Sequence, residues 1–175
     1  MIIPTNRSPD IDYEKLKGGQ IGYGCHRSVF EVIDCTDFVL KECKVSGSKM
    51  NENEAFVYYT AVINNYTKSL KTIASVYSIS KSGKYLIMEK LKTDCIADGT
   101  GIYVMKGVSD KLKKNYGIDG NGAIKCLDYA VFDNSPITQS DITDEVQYFK
   151  LPPSEVAKSI AKDLQSISRI YAEPE

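Results

Sequence analysis

The sequence predicts an α+β fold in which a five-stranded antiparallel sheet and one helix precede a smaller part with little regular structure. Short apolar runs separated by glycine-containing turns occupy residues 17–91, as expected for successive β-hairpins. Only one run in that part, residues 51–64, has apolar residues at helical spacing. The chain of 175 residues therefore reads as a single domain, with an N-terminal part at about 17–91 and a reduced C-terminal part at about 92–175.

Composition excludes several classes of function. The net charge of -1 gives no electrostatic attraction for nucleic acid or a membrane surface, and no apolar run is long enough to span a bilayer. The five cysteines are odd in number and form no Cys-x-x-Cys pair, which favours reduced thiols in a cytoplasmic protein. His26 is the only histidine, so a His-rich metal site is excluded.

A glycine-containing hairpin opens the sheet. Gly22 and Gly24 lie between two apolar runs, and the second run passes through Val29. Backbone amides beside glycine can approach phosphates closely because no Cβ intervenes, although an ordinary hairpin with glycine turns is the alternative interpretation. The next apolar run ends in Lys41, a position in which a lysine is usually solvated.

One helix is predicted in the N-terminal part, at residues 51–64. Its apolar residues share one face: Ala55, Tyr58, Tyr59 and Val62. Asn51 and Glu54 have the spacing of a capping box.

Further elements follow the helix. Strands are expected at 73–80 and 85–91, joined by a turn, and a short element is expected near 102–105. Another strand is expected at 146–151. Ser154 then caps a predicted final helix whose apolar face has five residues: Ala157, Ile160, Ala161, Leu164 and Ile167.

The stretch from Asp110 to Ala130 is the most informative. Asn115 follows Asp110 by five residues, a hairpin pattern with an Asp-Gly-Asn-Gly turn covers 116–127, and Asp128 comes directly after it. Because a hairpin brings its two ends together, Asn115 and Asp128 are expected side by side. Carboxylate and amide oxygens suit Mg²⁺ that carries a polyphosphate.

Taken in order, these motifs resemble the protein-kinase-like fold, including the small kinase-like proteins that bacteriophages encode. Asp110 and Asn115 keep the Asp-x-x-x-x-Asn spacing of the kinase catalytic loop, and Asp128-Tyr129-Ala130 stands where Asp-Phe-Gly is expected. Val39-Leu40-Lys41 is similar to the kinase Val-Ala-Ile-Lys. The resemblance covers about residues 17 to 135 and implies a kinase-like N-lobe, with helix αC, and a strongly reduced C-lobe.

The resemblance implies a role for each candidate residue. It assigns ATP binding to seven residues: Gly22, Gly24, Val29, Lys41, Glu54, Glu89 and Leu91. The last two would contribute backbone groups to the adenine. Glu54 would pair with Lys41, and Glu52 is a rival for that pairing. Mg²⁺ would be held by Asn115 and Asp128. Three residues would act in catalysis: Asp110 by orienting the attacking hydroxyl, and Lys41 and Lys113 by neutralising phosphate charge.

The chain also departs from the kinase pattern. Arg27 replaces the third glycine of the loop, and Val108-Ser109 stands where His-Arg usually precedes the catalytic aspartate. Only 20 residues separate Glu89 from Asp110, and only 47 follow Asp128, so the helices of a full C-lobe have no room.

Three functions remain open on these grounds. One is an ATP- and Mg²⁺-dependent phosphotransferase of protein-kinase type, acting on a protein hydroxyl, on its own hydroxyls or on a small molecule. The second is a pseudokinase-like binding module that regulates a partner protein without catalysis. The third is a structural α+β domain. The expected location is the cytoplasm, and a phage-encoded protein would meet its protein partner or substrate in the host cytoplasm.

Overall fold

The structure of the chain, a computed structural model, describes residues 2–133 and 136–153. The predicted helix beginning at Ser154 lies outside the described residues. Short 3-10 turns occupy Lys113–Asn115 and Gln139–Asp141. The helices and strands follow one another in this order: α1 (Asp10–Glu14), β1 (Lys17–Tyr23), β2 (Arg27–Val32), β3 (Cys35–Cys43), α2 (Met50–Ile63), α3 (Thr67–Leu70), β4 (Val76–Ile79), β5 (Tyr85–Glu89), β6 (Gly101–Met105), β7 (Tyr116–Ile118), β8 (Ile124–Cys126) and β9 (Val146–Lys150).

The predicted α+β class and five-stranded antiparallel sheet are both observed. The strand order is β1-β2-β3-β5-β4, and every neighbouring pair is antiparallel. In this register Lys41 of β3 lies between Val29 of β2 and Leu86 of β5. Lys41 therefore occupies the middle of the sheet rather than an edge, and its side chain is buried.

The two faces of the sheet bury different sets of residues because successive side chains on a strand point to opposite sides. One face packs on α1 through a small cluster: Tyr13, Phe30, Val32, Leu40, Tyr85 and Ile87. The opposite face contributes Val39, Leu86 and Met88 to a larger cluster that continues into the C-terminal part as far as Leu151. Lys41 alternates with Leu40 and so faces this larger cluster and helix α2.

Helix α2 begins one residue before the predicted start, at Met50, and the capping box, which was the alternative interpretation of Asn51 and Glu54, is not formed. Lys49 is the N-cap residue, and no side chain caps it. Asn51 is instead fully buried and donates through Nδ2 to the carbonyls of Gly83 and Lys84, at 3.2 and 2.7 Å. The predicted apolar face is also wrong at Val62, which is exposed, since the helix turns the polar Asn51 and Glu54 toward the sheet.

The C-terminal part consists of two short ribbons. Strand β6 pairs with β9, and β7 pairs with β8, so the expected hairpin at 116–127 and the expected short element near 102–105 are both observed. Backbone hydrogen bonds join this part to the sheet region: the Ala74 amide donates to the Cys126 carbonyl and the Cys126 amide donates to the Thr72 carbonyl, at 2.8 Å each. No helix among the described residues is long and apolar enough to cross a membrane.

Candidate functional site

A buried glutamate lies at the centre of the candidate site. The Glu54 carboxylate on α2 accepts from Lys41 Nζ at 3.0 and 2.9 Å, and one of its oxygens lies 2.7 Å from a terminal nitrogen of Arg27. The Tyr129 amide donates to the same carboxylate at 3.3 Å. Glu54 is fully buried, and the two cations are nearly so. One carboxylate thus binds groups from β2, β3 and the segment after β8.

Secondary structure explains why Glu54 meets Lys41. Lys41 projects from the central strand toward α2, and Glu54 lies in the second turn of that helix, on the face that packs on the sheet. Glu52 points elsewhere: its carboxylate lies 4.0 Å from Arg7 in a partly exposed pair. The structure therefore brings Glu54, and not Glu52, to Lys41.

The end of strand β8 completes the cluster. Lys41 Nζ donates to the Leu127 carbonyl, and Arg27 forms an ion pair with the carboxylate of Asp128. The Asp128 side chain is 35% exposed, so it lies where the cluster opens to solvent. Asn53 of α2 donates to the Ala130 carbonyl at 3.1 Å and fixes the residues that follow.

The hairpin brings Asn115 beside Leu127, the residue that precedes Asp128. The Leu127 amide donates to the Asn115 carbonyl at 2.8 Å. Asn115 is buried, and its Nδ2 donates to the backbone carbonyl of Asp110 at 3.2 Å. Asp110 and Asn115 are thus held together by one hydrogen bond.

The loop carrying Asp110 is supported by the chain that follows Asp128. Val108 and Phe132 form an isolated antiparallel bridge. The Ser109 amide donates to the Val131 carbonyl at 3.2 Å, and the Asp133 amide donates to the Gly107 carbonyl at 2.8 Å. These backbone contacts hold the loop that carries Asp110 against the segment after Asp128.

Burial and pairing act in opposite directions on the charged groups. Burial lowers the pKa of Lys41, and Glu54 counteracts this only in part, so the net pKa stays below its usual value. Burial by itself raises the pKa of Asp128, but the charges of Arg27 and Lys41 outweigh it and hold that pKa below its usual value. Burial also lowers the pKa of Arg27, yet Glu54 and Asp128 together raise it above its usual value. The pairing therefore favours the charged forms of Arg27 and Asp128.

The donor set at the hairpin end fits Mg²⁺ in its chemistry. Nδ2 of Asn115 is used by Asp110, which leaves Oδ1 as the side-chain atom that can bind a cation, and Asp128 contributes a carboxylate. Both are hard oxygen ligands of the kind that Mg²⁺ takes. Within residues 2–133 and 136–153 no group of three or more His, Cys, Asp or Glu side chains could hold a metal ion, so phosphate oxygens or water would complete the coordination.

The glycine hairpin closes on Arg27, a member of the cluster. Gly22 faces Val29 across the β1–β2 pair, and a Cβ on Gly22 would lie 3.2 Å from that of Val29. The Gly24 amide donates to the Arg27 carbonyl at 2.9 Å, which closes the turn. Arg27 is the site residue that sequence reasoning missed. The only available signal was an arginine in the position of the third glycine.

Three candidate residues lie outside the cluster. The Glu89 carboxylate accepts from Lys125 Nζ at 2.9 and 3.0 Å, and the Glu89 amide donates to the Ser75 carbonyl. Leu91 packs against Gly117, where a Cβ would lie 2.6 Å from that of Leu91. Lys113 Nζ is bound to Asp98 at 2.6 Å. The adenine-binding role of Glu89 and Leu91 and the phosphate role of Lys113 stay predictions.

Comparison of the chain with protein-family models gives no match, and comparison with curated proteins gives none either. The kinase-like relationship therefore stays a prediction carried by the motifs and their order along the chain.

Proposed function

We propose that this chain binds Mg²⁺-ATP at the Glu54 cluster and transfers the terminal phosphoryl group to a hydroxyl acceptor. The observation that carries the proposal is the buried Lys41–Glu54 pair, which lies against the end of β8 beside Asp128. Residues far apart in sequence converge there on groups that suit phosphate and Mg²⁺. Phosphoryl transfer depends mostly on positioning and charge stabilisation, so a small scaffold suffices in principle.

Each residue has a defined task in this proposal. Glu54 orients Lys41, whose ammonium binds the α- and β-phosphates, while amides of the glycine hairpin cover the phosphates from above. Asn115 and Asp128 hold Mg²⁺, which neutralises phosphate charge when bound. The acceptor oxygen attacks the γ-phosphorus as the bond to the ADP oxygen breaks, and the hydroxyl proton passes to the Asp110 carboxylate.

A second candidate function is a binding module that contacts a partner protein without catalysis. It is favoured by one observation, the ion pair between Arg27 and Asp128, because this pair engages the carboxylate that Mg²⁺ would need. In this case the nucleotide would be dispensable, and the fold would present a protein-binding surface.

Thermal unfolding with and without Mg²⁺-ATP separates the two functions. A ligand at about 100 times its Kd stabilises a protein by about 2.7 kcal/mol, which for a chain of this size corresponds to a shift in Tm of roughly 5–10 °C. We expect ATP to raise the Tm of the wild type by this amount only when Mg²⁺ is present. We expect no such rise in Asp128→Asn. Asp37→Asn, at an exposed carboxylate on β3, is the matched control and keeps the shift. Absence of a shift at millimolar ATP would favour the binding module.

Transfer itself is tested with Asp110→Ala. Because the acceptor is not identified, the readouts are release of inorganic phosphate from γ-labelled ATP and incorporation of label into the protein. We expect both to fall to background in Asp110→Ala while the Mg²⁺-ATP shift in Tm remains. Unchanged transfer in this variant would contradict the role given to Asp110.

A further inference from the structure

Arg27 is placed to compete with a metal ion for Asp128. It is the first residue of β2 and pairs with Cys43 of β3, so its backbone position is fixed by the sheet. One terminal nitrogen lies 2.7 Å from a Glu54 oxygen, and the other contacts both Glu54, at 3.2 Å, and Asp128. The guanidinium thus bridges the two carboxylates of the cluster, a geometry that its planar fork suits.

The charges of the cluster balance without any ligand. Two cations, Arg27 and Lys41, face two carboxylates, Glu54 and Asp128. A divalent ion added at Asp128 would leave a net charge of about +2 in a largely buried place, which is costly because desolvated charges need partners. A nucleotide polyphosphate brings the missing negative charge. The cluster therefore disfavours the metal ion alone and accepts it together with phosphate.

Arg27 also has a second partner available when phosphate arrives. It lies at the base of the glycine hairpin, where the Gly24 amide donates to its carbonyl, so it belongs to the segment that would cover the phosphates. An arginine guanidinium binds phosphate in the same two-pronged way as it binds carboxylate. Exchange of Asp128 for a phosphate oxygen keeps Arg27 paired and releases the carboxylate to the metal ion.

We infer that Arg27 is a positioning residue that holds Asp128 in the ligand-free protein and passes to the phosphates when a metal-nucleotide complex binds. Arg27 thereby couples the binding of the metal ion to that of the nucleotide. This inference rests on the proposed nucleotide site. Coupling between two ligands is typically about 5- to 150-fold.

The test measures Mn²⁺ binding by electron paramagnetic resonance, with Mn²⁺ as the probe for the Mg²⁺ site and ADP as a nucleotide that cannot donate a γ-phosphate. Arg27→Gln removes the competing charge and is compared with Arg7→Gln, which changes an exposed arginine on the surface. Arg27→Lys keeps a charge for Glu54, but its single ammonium cannot bridge both carboxylates as the fork does. Far-ultraviolet circular dichroism checks that each variant is folded.

We expect Arg27→Gln to bind Mn²⁺ without nucleotide more tightly than the wild type by roughly fivefold or more, and the enhancement of Mn²⁺ binding by ADP to fall accordingly. The Mn²⁺ affinity of Arg27→Lys is expected to lie between those of the wild type and Arg27→Gln, and the Mn²⁺ affinity of Arg7→Gln is expected to equal that of the wild type. If Mn²⁺-ADP binds the wild type while Arg27→Gln and Arg27→Lys show unchanged Mn²⁺ affinity, Arg27 has only a structural role. If Mn²⁺-ADP binds neither the wild type nor any variant, the nucleotide function itself fails, and this role with it.

Discussion

The two parts of the molecule are built differently. Residues 17–91 form one sheet with strands of up to 9 residues, whereas the strands of residues 92–153 have 3 to 5 residues each. The sheet part is ordered by four neighbouring antiparallel strand pairs, three of which contain a register irregularity. The C-terminal part is ordered by docking: the Ala74 amide donates to the Cys126 carbonyl at 2.8 Å, and the Tyr129 hydroxyl donates to the Ala74 carbonyl at 2.7 Å.

This difference has a consequence for the candidate site. Lys41 and Glu54 belong to the sheet part, while Asp110, Asn115 and Asp128 belong to the docked part. The geometry of the site therefore depends on how firmly the two parts hold each other. Glu54 is the central contact because it binds groups from both parts.

The largest effect is expected from Glu54→Ala. This change leaves Lys41 and part of Arg27 buried without a carboxylate, and breaking a buried ion pair from one side costs about 3–5 kcal/mol. We expect a loss of that order in the free energy of unfolding, measured by urea denaturation. Glu52→Ala on the same helix removes only a partly exposed pair and is expected to cost less than about 0.5 kcal/mol. Equal losses in both variants would show that the cluster does not join the two parts.

A smaller loss in the free energy of unfolding is expected from Gly117→Ala, at a contact between the two parts. A Cβ at this position would lie 2.6 Å from Leu91 Cβ and 3.0 Å from the Lys92 carbonyl oxygen. Overpacking of this kind costs about 1–3 kcal/mol, so Gly117→Ala is expected to lower the free energy of unfolding by that amount. Gly120→Ala, in the turn of the same hairpin, has no atom within 4 Å of the new Cβ and is the matched control. If Gly120→Ala lowers the free energy of unfolding as much as Gly117→Ala does, the loss comes from the hairpin itself and not from the contact between the two parts.

The smallest effect is a dependence on pH. The pKa of Asp128 is below its usual value in the folded protein, because Arg27 and Lys41 outweigh the effect of burial. Its contribution to stability is therefore complete above the unfolded-state pKa of about 3.9 and is lost as the pH falls through the lower folded-state value. We expect the difference in stability between the wild type and Asp128→Asn to be constant above about pH 5 and to shrink in acid. A difference that grows as the pH falls would contradict this pairing.

Many of the strands and helix α2 were predictable because they are signalled by residues close together in the sequence. Alternating apolar residues and glycine turns predicted the strands and the hairpin at 116–127, and helical spacing predicted α2 to within one residue at each end. The face that α2 buries was not predictable from apolar spacing. Asn51 and Glu54 are fully buried there because backbone carbonyls and cations of other elements satisfy them.

The sequence by itself determined which residues are available: a lysine in an apolar strand, a glutamate on the following helix, and an aspartate and an asparagine at the ends of a hairpin. Only the tertiary structure decided that Arg27 lies among them, since its partners are 27 and 101 residues away along the chain. Because side chains alternate along a strand, the sequence predicts the face of the sheet on which a side chain lies. The partners of a long, flexible guanidinium depend on which charged groups folding buries beside it.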